Sequence, residues 1–178
     1  MPSSLLLAVI VESVLAVVDG RPLMLSEVRL VQALRGVEEG PALEAVIDER
    51  LMFREAARLP QAAVTLEEEE RAYTSLRERV TGAVSEEALR RLARRQTAIV
   101  KYIDFRFRPQ IRVTDEAVKT AYEAEYGGRA DAPELAAVQE ALRERLVSRA
   151  LDEKIEAWVK ELRAAAEVQY NRSEAGGS

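Results

Sequence analysis

Carboxylates and arginines dominate the residues that could do chemistry, and their spacing makes little of it. Glu67-Glu68-Glu69-Glu70 is the densest acidic run. A metal site needs carboxylates that converge, whereas consecutive residues on a helix point around its axis. Asp19, Asp48, Asp104 and Asp115 stand apart, with no neighbour that marks an acid–base pair. The chain has no histidine and no cysteine. Imidazole acid–base catalysis, thiol chemistry, disulfides and the usual zinc sites are thereby excluded. No glycine-rich phosphate loop or nucleophile motif is present. No catalytic residue, metal or cofactor is expected.

The basic side chains are gathered instead. Arg90, Arg91, Arg94, Arg95, Lys101, Arg106, Arg108 and Arg112 are opposed within their segment only by Asp104. One reading is a patch that steers acidic partners or membrane headgroups. The favoured reading is a solvated helix face paired with acidic neighbours such as Glu67 to Glu70. Nucleic acid is not expected as a partner: no binding motif is recognised, and the net charge is −5.

Weak, unselective binding of polypeptides asks for exposed apolar and aromatic surface rather than reactive groups. The candidates are Met24, Met52, Phe53, Tyr73, Tyr102, Phe105 and Phe107. Phe105 and Phe107 alternate with Asp104, Arg106 and Arg108. Each of the candidates also reads as an ordinary core residue, because large apolar side chains prefer the interior.

These residues must be positioned by helices. Of 178 residues, 48% are apolar and 32% charged, an ordinary soluble composition long enough for one real core. The abundant Ala, Leu, Glu and Arg favour helix. The N-terminal runs Leu5 to Val11 and Val14 to Val18 fall short of the roughly 20 residues that span a bilayer, so stable membrane insertion is not expected. Residues 1–13 read either as the remnant of an export signal or as an extra element packed on the core.

Val14 to Val18, Asp19-Gly20 and Arg21 to Leu25 form the pattern of a hairpin. Pro22 confines its second strand to an edge. Ser26 is expected to cap a helix that Gly36 ends. Further helices are expected from Pro41 to Leu59, Thr65 to Val80, Ser85 to the Pro109 bend and Thr114 to Tyr126. Thr65 with Glu68 fits the reciprocal capping box. Leu89, Leu92, Gln96, Ile99 and Ile103 are spaced as a coiled-coil-like seam. Pro133 is expected in the first turn of the last and longest helix, which reaches about Ala166. Glu167 to Tyr170 alternates as a strand whose obvious mate is the N-terminal hairpin. Residues 171–178 read as a disordered tail.

In this order the pieces resemble the chaperone core of the SurA-like family, periplasmic folding factors often associated with peptidyl-prolyl isomerase activity. Ala16-Val17-Val18-Asp19-Gly20 followed by Leu25-Ser26-Glu27-Val28 resembles the family's opening strand, turn and helix. Ala45 to Met52 with Glu55-Ala56 resembles its next helix, and Val113 to Val118 with Tyr122 resembles the segment before its isomerase domain. Trp158-Val159 to Tyr170 resembles its closing helix and strand. The likeness covers residues 14–170. The parvulin-type isomerase domain has no room between Gly127 and Pro133, and its histidine-bearing motifs have no histidine to use.

The resemblance implies a mainly α chaperone domain, with a long C-terminal helix and a small sheet joining the N- and C-terminal strands. It implies an ATP-independent periplasmic holdase for unfolded exported or outer-membrane proteins, without isomerase activity. The alternative is a structural or dimerisation module in which the seam and the long terminal helix pair with a second copy, with helix exchange between protomers.

Overall fold

The hairpin is set by two residues that tolerate a left-handed backbone. Asp19 sits at φ 47° and Gly20 at φ 75°, the two positive values of a type I′ turn. They join β1 (Val14–Val18) to β2 (Arg21–Met24). In the computed structural model, which describes residues 12–171, a third strand, β3 (Val168–Tyr170), pairs antiparallel with β1. The order is β2-β1-β3, so Pro22 lies on an edge strand. The expectations of an export remnant and of a disordered tail concern residues that lie outside the described ones, apart from Glu12, Ser13 and Asn171.

Six helices separate the sheet's two ends: α1 (Leu25–Arg35), α2 (Glu39–Ala56), α3 (Leu66–Arg79), α4 (Glu86–Arg106), α5 (Asp115–Tyr126) and α6 (Leu135–Ala165). The protein is mainly helical, with a long final helix and a small sheet that joins the chain's two ends. At 31 residues α6 is about 46 Å long. Short 3-10 turns at Pro60–Ala62 and Arg108–Gln110 follow α2 and α4, each built on the proline that ends the helix.

Three starts differ from expectation. The cap of α1 is Met24, and Ser26 lies inside the helix. Two carboxylates decide this: Glu27 accepts from the Met24 N–H at 3.2 Å, and Glu12 accepts from the Ser26 N–H at 3.1 Å, a first-turn donor that a serine cap would have satisfied. The second helix starts at Glu39 and ends at Ala56, because its first turn accommodates Gly40-Pro41 and the chain turns before Pro60. Pro133 precedes α6 instead of entering it, and its carbonyl accepts from the Tyr122 hydroxyl at 2.7 Å. The other caps follow the sequence. Ser85 Oγ and Thr114 Oγ1 accept from the N–H groups of Ala88 and Ala117, and Gly36 ends α1 at φ 64°.

Thr65 and Glu68 form the capping box. Thr65 Oγ1 accepts from the Glu68 N–H at 3.2 Å, and the Glu68 carboxylate accepts from the Thr65 N–H at 2.8 Å. Lys101 donates to the same carboxylate at 2.8 Å. The Lys101 bond first, then the Thr65 N–H, hold the Glu68 carboxyl down to about 2 from its ordinary 4.5. A depressed carboxyl stabilises the fold above its unfolded value, and the contribution fades as pH falls from about 4.5 towards about 2. Thr65→Ala is expected to cost about 1 kcal/mol in a thermal melt. The stability gap between the wild type and Glu68→Gln should close across that same acid window; a gap that survives below it would contradict the bond.

The core lies in three linked clusters. Ala16, Val18 and Leu23 of the sheet pack with Val46, Ile47 and Leu51 of α2 and Trp158 and Leu162 of α6. Leu30 of α1, Leu76 and Val80 meet Leu89, Leu92 and Ala93 of α4. Ala56 and Ala62 meet Ala98 and Ile99. The fourth helix is thus a wall shared by all three, with Tyr102 and Ile103 reaching the first. Its apolar seam is occupied within the protomer. By contrast α5 buries only Val118 and is clipped to α6 by ion pairs such as Arg145–Glu125 at 2.6 Å.

Candidate functional site

A groove of about 430 Å³ opens where the hairpin, α2 and the first half of α4 meet. Its floor is apolar, with Val18, Pro22 and Leu23 from the hairpin and Leu51 and Phe53 from α2. Leu23 and Leu51 are each only 1% exposed, so the floor is the outer face of the main core. Helical spacing supplies the rim. Arg50 and Arg54 lie one turn apart on α2, as do Arg91, Arg94 and Arg95 on α4. Arg21 stands at the start of β2.

The rim has an inner and an outer set. Arg50 donates to Glu27 at 2.5 Å, and Arg54 to Asp19. Arg95 donates to Glu49 at 2.7 Å, and Gln96 to the other oxygen of Glu49 at 3.2 Å. Glu49 is 5% exposed, the one buried charged side chain among the described residues. These pairs lock the inner arginines. The outer set is held at the surface: Arg91 donates to Glu87 at 2.5 Å and Arg94 faces Glu69 at 3.7 Å, all but Glu69 well exposed. Arg21 has no carboxylate partner among the described residues. The buried Nε of Arg50 also lacks an acceptor among them.

The sequence candidates scatter around this groove. Phe53 alone lines it, half-buried. Met52 and Tyr102 are half-buried against the main core, and Tyr102 stacks on Trp158 at 4.8 Å. Phe107 is 9% exposed in that core, where it serves packing. Tyr73 is covered by Arg90, 4.1 Å from its ring centroid. Met24 is half-buried at the cap of α1. Phe105, 51% exposed, stands free of the groove. The acidic and basic runs meet each other: Arg90 binds Glu70 at 2.6 Å, Arg94 reaches Glu69 and Lys101 binds Glu68. That pairing accounts for much of both runs as a structural seam between α3 and α4.

Arg21, Arg50 and Arg54 belong to the site without having been singled out. The only sequence signal is the four-residue spacing of the latter two, which is common on any helix. No group of acidic residues able to hold a metal ion occurs among the described residues. None of the described helices is long and apolar enough to cross a membrane. No family model matches the chain, and no curated protein matches it.

Proposed function

We propose that the protein is an ATP-independent holdase that shelters apolar segments of unfolded polypeptides, acting in the periplasm on exported or outer-membrane proteins. The groove carries this reading. Its floor offers exposed Pro22 and half-buried Phe53 above the buried Leu23 and Leu51, and arginines around it keep an apolar surface in solution. The resemblance of residues 14–170 to the SurA-like core agrees, and the lack of histidine argues against isomerase chemistry. Binding needs no covalent step.

The test is aggregation of a chemically denatured client, diluted into the purified chain without nucleotide. Suppression at a roughly stoichiometric ratio is expected, and Phe53→Ala should weaken it several-fold; because Phe53 also packs beside Ala56 and Ile99, the two proteins are compared well below the variant's own melting temperature. No suppression at any ratio would sink the proposal.

A second reading is a dimerisation module in which two copies exchange helices. What favours it is the thin attachment of α5, which buries Val118 alone and so leaves its pairing with α6 open to exchange. A single monomeric mass by light scattering across concentrations would remove it.

A further inference from the structure

We infer that the groove selects segments in which carboxylates flank an apolar anchor, with Arg21, Arg91 and Arg94 as the selecting rim. This rests on the holdase reading of the same groove and names the class of segment it takes. Six guanidiniums but two carboxylates line the groove, in a chain whose net charge is −5. The positive charge is therefore local to the site.

The two lining carboxylates are already committed. Asp19 accepts from Arg54 and from the Glu167 N–H, and Glu27 accepts from Arg50 and from the Met24 N–H. Glu49 lies behind Arg95, out of reach of an occupant. Glu69 and Glu87 hold Arg94 and Arg91 through partly exposed pairs, which are weak and exchange readily for an incoming carboxylate. Arg21 has no pair to give up among the described residues.

The occupant enters with its side chains and not as an added strand. Pro22 has no N–H, and the Met24 N–H is taken by Glu27, so the outer edge of β2 is poor in free donors. A phosphate polyanion would satisfy the arginines but has nothing to bury against Pro22 and Phe53. A peptide with leucine or phenylalanine anchors between glutamates satisfies both.

The test is fluorescence polarisation with the full chain and three short labelled peptides. They share Leu and Phe anchors and carry Glu, Gln or Lys between them. The Glu peptide is expected to bind about tenfold tighter than the Gln peptide at low salt, as a few exposed ion pairs would give. The Lys peptide should be weakest, and the margin should shrink in high salt. Arg21→Gln with Arg91→Gln and Arg94→Gln should abolish the margin, and the corresponding triple change to Glu should invert the order. All three arginines are rim residues, so folding is checked by circular dichroism; the salt titration of the wild type decides the question in any case. Equal affinity for the Glu and Gln peptides overturns the inference, while the aggregation assay scores the holdase reading separately. Displacement of the Glu peptide by an equal concentration of single-stranded DNA overturns it in favour of a polyanion.

Discussion

Trp158→Ala is expected to lower the stability of the fold by about 3–5 kcal/mol. The indole is 9% exposed on α6 and sits between two other rings. It stacks on Tyr102 at 4.8 Å with the planes 10° apart, and meets Phe107 edge-on at 5.2 Å and 70°. Tyr102 and Phe107 also meet edge-on, at 5.9 Å. Three elements are therefore fixed at one point: the end of α4, the turn that follows it and the last third of α6. Truncation loses the buried area, leaves a cavity and removes two aromatic pairs of about 0.5–1.5 kcal/mol each. Against a total of about 5–15 kcal/mol for an ordinary domain, that is a large share. Trp158→Phe should keep most of it. The measurement is urea denaturation followed by far-UV circular dichroism, because Trp158 is the sole tryptophan and its removal silences the usual fluorescence. A loss below about 1 kcal/mol, the range of ordinary surface changes, would contradict the ring cluster.

Glu49→Ala should cost about 3 kcal/mol, the lower end of what breaking a buried pair usually costs. The side chain is 5% exposed and bonds Arg95 and Gln96. Its removal leaves the Arg95 guanidinium, 13% exposed, with only Glu27 at 4.0 Å for relief. That residual partner is the reason to expect the lower end. Replacing the pair together, Glu49→Leu with Arg95→Met, should be close to neutral, since two charges no longer need to be desolvated. A double-mutant cycle checks this: additive losses would mean that the two residues are not coupled. The double variant also removes an inner rim arginine while leaving Arg21, Arg91 and Arg94 in place.

Local chemistry was legible in the sequence where a residue's own backbone or neighbours decide the structure. Asp19-Gly20, Gly36, Ser85, Thr114 and the Thr65–Glu68 pair each stand where their types required. The terminal strand was legible because its donors needed a mate. The helix starts at Leu25, Glu39 and Leu135 were not. In each, a competing partner or a neighbouring glycine or proline shifts the boundary by a few residues. The Leu89 to Ile103 spacing revealed an apolar seam but not its partner, which is α2 and α3 of the same chain. Gln96, the polar member of that seam, donates to buried Glu49. The groove was the least legible feature. Arg21, Arg50 and Arg94 lie on three elements distant in sequence, and only the packing of hairpin on helices brings them to one rim.

The pairing of β1 with β3 sets a timetable for the newborn chain. The Asp19 carboxylate takes its bond from the Glu167 N–H across 148 residues, with the strand pairing beside it. At ribosomal speeds of about 5–20 residues per second, Val14 to Val18 waits about 7–30 s before its second neighbour exists. During that interval the helices, whose contacts are mostly between neighbours in sequence, are free to form and dock. The strand meanwhile offers an open edge to whatever it meets. Closure waits for Val168 to Tyr170, so a chain cut short before Val168 would keep its helices and lose the clasp.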